Sequence, residues 1–486
     1  MSNLLFSHSY YYQLDPKQWK NKTPFPPLGT LYAAALLRKN NYNVDLFDTN
    51  LLDSPKAILP IIEQQKPKYL VIYDDGFNYL TKMCLTKMRE ACFEMIQLGK
   101  KNSCTVIISS SDATDHYTEY LEKGADFIIQ GEGELTLLEL VNSLENQLPI
   151  DAISGIAFKN NDEIQVNSKR SVLVQLDDLP LPAWDLVDME SYKTIWKQSG
   201  QQFTLNIATT RGCPYKCNWC AKPIYGNRYN SHSPEYIANH LEFLSKKFNV
   251  NRFWMCDDIF GLKPNWVQEF NIELQKRSLK IRYYIQSRVD LLLKEDTIDA
   301  LANSGLEEVW VGAESASQKI LDAMDKGTKV EEIYQATRLL KEKKIRVAFF
   351  LQFGYLDENQ DDIQKTIAMV KELLPDNIGI SVSYPLPGTK FYEKVKDDLQ
   401  LKANWNDSDD LDMMFNGTYH SDYYRKLQRF VHKEYRKSQG FFNLQQVLRN
   451  PKQLSLYKVK SIAKLGYYVP SSFIDSLMLK RLQHER

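Results

Sequence analysis

Three cysteines within eight residues, in Arg211-Gly212-Cys213-Pro214-Tyr215-Lys216-Cys217-Asn218-Trp219-Cys220, constrain this chain more than any other stretch. They follow directly on an apolar, strand-like run, and C-x3-C-x2-C is a metal-ligand spacing. Thiolates this close on one loop suit an iron–sulfur cluster, which needs soft sulfur ligands that converge. Three protein ligands leave one iron of a 4Fe–4S cube open to a small molecule, and Trp219 offers an aromatic wall for an adenine. A zinc site or three ordinary buried thiols are the competing readings. Structural zinc takes four ligands, however, and the next Cys or His after this loop is His232.

A chain of 486 residues exceeds one ordinary core, so roughly two or three domains are expected. Its 43% hydrophobic content is that of a globular protein. With neither a signal-peptide pattern nor an apolar run of membrane length, the expectation is a cytoplasmic protein. Seven scattered cysteines, Cys84, Cys92, Cys104, Cys213, Cys217, Cys220 and Cys256, do not make a disulfide framework and fit a reducing compartment. The 61 basic residues balance 61 acidic ones, which argues against a nucleic-acid binder. The balance is local all the same: residues 420–486 carry 14 Lys/Arg against 4 Asp/Glu.

Strand-like runs at 3–7, 43–47, 69–73, 105–109 and 127–129 alternate with helical patterns at 28–39, 55–65, 81–98, 114–123 and 134–144. This alternation predicts an α/β fold that opens with a doubly wound parallel sheet over residues 1–150, with ligands at the carboxyl ends of its strands. Residues 151–202 read as a hairpin and a proline-stiffened linker. Over 203–396, runs at 203–209, 252–256, 282–286, 308–312, 347–353 and 378–384 alternate with helices, the pattern of a partial (β/α)6 TIM-type barrel. Residues 397–486 read as a mainly helical, aromatic-rich cap with a basic stretch. Lys458, Lys460 and Lys464, interleaved with apolar residues, read either as a solvated face or as a peripheral membrane contact. Polar residues cluster at the expected barrel strand ends: Asp257-Asp258, Ser287-Arg288, Gly312-Ala313-Glu314-Ser315, and Gln352 with Gly354.

The cysteine spacing and these strand-end residues resemble the radical S-adenosylmethionine (radical SAM) superfamily. The resemblance implies that Cys213, Cys217 and Cys220 ligate a 4Fe–4S cluster. It further implies that Trp219, Asp257, Asp258, Arg288, Glu314, Ser315, Gln352 and Gly354 surround SAM. Pro26-Pro27-Leu28-Gly29, Asp48 and Gly131-Glu132-Gly133-Glu134 resemble the cobalamin-binding domain of one class of the superfamily. Pro27, Leu28, Gly29, Asp48, Ser110, Gly131, Glu132 and Gly133 are its implied cobalamin contacts. No Asp-x-His-x-x-Gly occurs, so a cobalamin held without a protein histidine is implied, and His8 and His116 read as loop residues. Two further departures are Ser109-Ser110-Ser111-Asp112 where Gly-Gly is usual, and Gly354-Tyr355-Leu356-Asp357-Glu358-Asn359 in place of Gly-x-Pro-Gly-Glu-Thr. The implied activity is cleavage of SAM to a 5′-deoxyadenosyl radical, hydrogen abstraction and methylation of an unactivated carbon. Cyclisation or rearrangement without methyl transfer, and a non-catalytic iron–sulfur protein, are the alternatives. A small-molecule substrate and an electron donor such as a flavodoxin or ferredoxin are the implied partners.

Overall fold

The computed structural model describes residues 3–78, 86–161, 163–222, 224–399 and 411–483. Cys84 and the start of the helix expected at 81–98 lie outside the described residues. Among those residues the chain forms two compact units, one of Met1–Pro214 with Lys222–Ile285, the other of Tyr215–Ala221, Gln286–Ala403 and Asp409–Arg486.

The first unit opens with parallel strands β1 (Asn3–Ser7), β2 (Asn43–Phe47), β3 (Tyr69–Tyr73), β4 (Thr105–Ser109) and β5 (Phe127–Ile129). Their order, β2-β1-β3-β4-β5, is the flavodoxin-like doubly wound arrangement. Antiparallel β6 (Ile156–Asn160) and β7 (Glu163–Val166) extend the sheet. The hairpin expected after residue 150 is thus part of this sheet.

Side chains alternate across a strand, so an unbroken apolar run serves two cores at once. Tyr69, Val71 and Tyr73 enter one core, and Leu70 and Ile72 the other. Each such buried aliphatic side chain contributes about 1.5–3 kcal/mol. Helix α1 (Leu28–Lys39) is buried from Leu28 to Leu37. Helix α2 (Thr86–Lys101) buries Met88, Ala91, Cys92, Met95 and Ile96, spaced three or four apart on one face. Helix α3 (Glu134–Glu145) follows β5.

Six further parallel strands alternate with helices, the repeat of a partial (β/α)6 barrel. In the first unit β8 (Leu205–Ile207) pairs with β11 (Arg252–Met255), and β11 with β12 (Arg282–Ser287). Short β9 (Thr210–Arg211) and β10 (Asn230–Ser231) pair antiparallel. Helix α4 (Pro234–Phe248) starts with Pro234 in its first turn, and Ser233 Oγ accepts from the Tyr236 amide as its cap. In the second unit β13 (Leu306–Glu314), β14 (Arg346–Phe353) and β15 (Asn377–Val382) pair in turn, with helix α5 (Val330–Glu342) between the first two.

The C-terminal region is helical: α6 (Ser421–Arg449), α7 (Leu456–Ala463) and α8 (Leu465–Leu482). α6 buries Tyr423, Tyr424, Leu427, Val431 and Tyr435 along one face. No helix among the described residues is long and apolar enough to cross a membrane.

Candidate active site

The cysteine loop starts at a point where only glycine fits. Gly212 has φ +77°, and a Cβ there would lie 2.4 Å from the Arg228 carbonyl oxygen. Just before it, β9 and β10 hold Arg211 opposite Asn230. Cys213, Cys217 and Cys220 are half-buried thiols. Among the described residues no three or more Cys, His, Asp or Glu are gathered closely enough to hold a metal ion. Thiols have no mutual attraction, so their convergence on a metal depends on the metal itself.

Asn218 fixes the second half of the loop within the second unit. Its amide donates to Met324 O (3.0 Å) and its carbonyl accepts from Phe391 N (2.9 Å). Its side chain donates to Ala323 O (2.7 Å) and Asp325 Oδ2 (3.3 Å) and accepts from Tyr355 Oη (2.8 Å). The sequence gives this residue no signal beyond its place between Cys217 and Trp219. Asn218→Ala is expected to cost about 1–3 kcal/mol for each buried partner left unsatisfied. Denaturant unfolding with and without reconstituted iron measures it.

At the end of β13 a bulge between Gly312 and Glu314 shifts the register, and Glu314 takes φ +54°. A non-glycine residue in that conformation is uncommon. It directs the buried Glu314 carboxylate at Lys326, Nζ to Oε1 2.7 Å, with side chains 6% and 7% exposed. A Cβ on Gly312 would lie 2.5 Å from that ammonium, so the glycine makes room for the pair. Burial opposes the Lys326 charge, yet Glu314 and the Cys217 sulfur hold its pKa above the ordinary lysine value. Arg288, also buried, donates to Lys326 O (2.8 Å) and Asp290, with its guanidinium 3.7 Å from the Tyr215 ring centroid. Arg288 and Glu314 do not pair; each has another partner. The Trp219 indole N–H is buried without a hydrogen-bond partner among the described residues.

Ser315 is wholly buried, bonding to Thr366 Oγ1 and accepting from the Ser317 amide. Gln352 donates to Ser383 Oγ at 3.0 Å. The Gly354 amide donates to Glu358 Oε2 at 2.6 Å, and a Cβ on Gly354 would press within 3.2 Å of Met413 and Tyr424. The other Glu358 oxygen and Tyr424 Oη are buried without a hydrogen-bond partner among the described residues. Burial pushes the Glu358 carboxyl up from 4.5 to about 8. Between those values the folded chain keeps a proton that the unfolded chain has released. Its stabilising contribution is therefore complete below the ordinary carboxyl pKa and is lost as pH rises toward about 8. Glu358→Gln is expected to flatten this part of the stability–pH curve, as read by urea midpoints across the window.

In the first unit Asp257 is buried and accepts from Thr209 N, Thr209 Oγ1 and Thr210 N, each at 2.7 Å. Burial raises it to about 7 even so. Asp258 is exposed. Cys256 is buried, its thiol 3.3 Å from Ile207 O.

A crevice at the carboxyl ends of β3, β4 and β5 is lined by Gly29, Tyr73, Asp74, Gly76, Ser109, Ser110, Ser111, Gly131, Ile224 and Tyr225. Gly29, Ser110 and Gly131 of the expected cobalamin contacts therefore meet there, with Pro27 and Leu28 at the adjoining start of α1. Asp48 is engaged elsewhere: it faces His8 Nε2 (2.9 Å) and accepts from Tyr192 Oη (2.7 Å). His8 lies in the loop directly after β1, as expected, and is buried there, and His116 lies 3.2 Å from Asp112. Gly133 packs under Tyr73 and Ser109, where a Cβ would come within 2.9 Å.

Glu132 turns to Arg211. This guanidinium is buried, 2.5 Å from Glu132 and 2.8 Å from Glu134, with the rings of Tyr32, Phe77 and Tyr225 between 5.4 and 5.7 Å from it. Burial disfavours the cation, but the two carboxylates hold its pKa well above the ordinary arginine value, while Glu132 itself is raised by burial.

Three half-buried thiols on one loop are the donor chemistry an iron–sulfur cluster requires. The orphaned Trp219 N–H and the buried Glu314, Lys326 and Arg288 suit a zwitterionic nucleoside. The crevice offers glycine backbone and serine hydroxyls, apt for a polar tail, but its free volume of about 10 Å³ is room for one water at most. Ile224 and Tyr225 form part of its wall.

Residues 207–370 match the radical SAM superfamily. An uncharacterised methyltransferase of Pyrococcus horikoshii is 26% identical over 79% of this chain and 81% of its own length. An anaerobic magnesium-protoporphyrin IX monomethyl ester cyclase of Rubrivivax gelatinosus is 24% identical over 82% of this chain and 71% of its own. The fold is shared with the radical SAM methyltransferase TsrM of Kitasatospora setae, solved with cobalamin and a 4Fe–4S cluster. That structure superposes with a TM-score of 0.68 and 17% identity over 82% of this chain and 78% of that one. Residues 207–370 thus match a radical SAM domain, and they follow a flavodoxin-like sheet in a chain whose fold is shared with TsrM.

Proposed function

We propose that the chain is a cobalamin-dependent radical SAM enzyme that methylates an unactivated carbon of a small molecule. The observation that carries this reading is the buried Glu314–Lys326 pair at the bulged end of β13, within electrostatic reach of Cys217. A buried, hydrogen-bonded charge pair in a strand-end bulge is a specific arrangement for a charged ligand. When bound, the cluster supplies the electron that cleaves SAM to a 5′-deoxyadenosyl radical, and cobalamin carries the methyl group.

In this reading Cys213, Cys217 and Cys220 hold the cluster, and Asn218 fixes the backbone between the last two. Glu314 accepts from the ammonium or ribose hydroxyls of SAM, and Arg288 and Lys326 face its carboxylate. Trp219, Ser315, Gln352 and Gly354 border the nucleoside, while Asp257 orders the turn after β8 through Thr209 and Thr210. Pro27, Leu28, Gly29, Ser110 and Gly131 flank the cobalamin tail. A flavodoxin or ferredoxin is the proposed electron donor, and the basic C-terminal region the proposed membrane contact.

The relatives that are cyclases favour a second reading, ring formation without methyl transfer. Anaerobic purification, reconstitution with iron, sulfide and cobalamin, and incubation with reductant and methyl-labelled SAM separate the two. Label in product together with 5′-deoxyadenosine supports methylation, and 5′-deoxyadenosine alone favours cyclisation. No SAM cleavage beyond that of a Cys213→Ala, Cys217→Ala, Cys220→Ala control overturns both.

A further inference from the structure

The C-terminal helices present an inverted surface. α8 packs on α6, yet much of what it buries is polar. Asp475 pairs with Lys433 (2.6 Å) and Lys426 (3.4 Å), and Lys437 Nζ reaches Ser472 Oγ at 3.3 Å. Leu479 is the one buried apolar side chain among the described residues of α8. Its outward side carries Tyr467, Val469, Phe473, Ile474, Leu477 and Met478, 44–65% exposed. A surface helix of a water-soluble protein shows the opposite pattern, apolar inward and polar outward.

Isolated exposed apolar residues mean little, but a contiguous set marks a place of contact. The set continues along the chain through Leu448, Leu454, Leu456 and Tyr457 at the end of α6 and the start of α7, 57–73% exposed.

The segment that carries this face is strongly basic. Residues 449–483 contain seven lysines and arginines and a single acid, Asp475, which is buried and already paired with two lysines. Apolar side chains interleaved with a segment in which cations outnumber acids seven to one match the boundary between anionic headgroups and acyl chains. A second copy would set the same cations against one another, a like-charge contact that disfavours self-association.

We propose that the outer face of α7, α8 and the end of α6 docks in the plane of an anionic lipid bilayer. The assignment rests on the contact proposed above for the basic C-terminal region and specifies its helices, its orientation and its lipid chemistry. Docking is peripheral, since no described helix is long and apolar enough to span.

Flotation of the full chain with vesicles tests this without any turnover. The chain is expected to float with vesicles of equal parts phosphatidylcholine and phosphatidylglycerol, to stay behind with phosphatidylcholine alone, and to be released by salt. Lys460→Glu with Lys464→Glu is expected to lower the partition coefficient about tenfold or more. Phe473→Ser with Leu477→Ser, both exposed and so without cost to the core, is expected to abolish flotation while the circular dichroism and melting temperature hold. Equal binding to both vesicles, no effect of charge reversal, or no flotation at all overturns the proposal. So does sedimentation showing a dimer that the serine pair dissociates and vesicles do not. Because the readout needs neither cluster nor cobalamin, failure here leaves the methylation reading standing, and the reverse holds.

Discussion

Arg211→Met is expected to destabilise the first unit by about 3–5 kcal/mol, because it leaves Glu132 and Glu134 buried without their shared cation. Methionine occupies a similar volume among Tyr32, Phe77 and Tyr225, so the loss reports charge rather than a cavity. The triple variant that adds Glu132→Gln and Glu134→Gln should recover most of it, since neutral amides carry a far smaller desolvation cost. Urea midpoints for the three proteins decide the matter. A single variant as stable as the parent would mean that the guanidinium does not compensate those carboxylates in solution.

The second large effect separates stability from chemistry. Lys326→Met strands the Glu314 carboxylate, and a loss of about 3–5 kcal/mol is expected on the same grounds. Adding Glu314→Leu removes the stranded charge and should restore much of the stability. SAM cleavage should stay abolished in both variants, because the double variant regains packing but no ligand for a zwitterion. Full cleavage activity in the stable double variant would remove this pair from the proposed SAM site.

The strands of the first sheet were legible because each is a short, unbroken apolar run bounded by turn residues, and both faces of the sheet are buried. Glu314 was legible from Gly312-Ala313-Glu314-Ser315 at a strand end. Its partner was not: Lys326 is one of many lysines in the sequence, and only the bulge and the space above Gly312 show it buried. Glu132 was read with the glycines around it, yet side chains in one loop point in different directions, and it faces Arg211 rather than the crevice. Asn218 carries neither charge nor periodicity, so its five hydrogen bonds depend wholly on tertiary neighbours. The reversed helix α8 escaped for a related reason. Its inward Ser472 and Asp475 make sense only beside Lys433 and Lys437 of α6.

The tie between Arg211 and the Gly131-Glu132-Gly133-Glu134 loop limits how this protein can be dissected. A shortened gene product that starts near residue 203 would retain the arginine but lose both of its counterions together with the Tyr32 and Phe77 rings that cover it, so the residues just before the cysteines would be left without their packing. Grafting a foreign leading domain onto the barrel meets the same obstacle unless the donor loop brings two acids to that point. The leading domain is thus a folding partner of the residues just before the cysteines, and domain shuffling in such enzymes must carry this loop along.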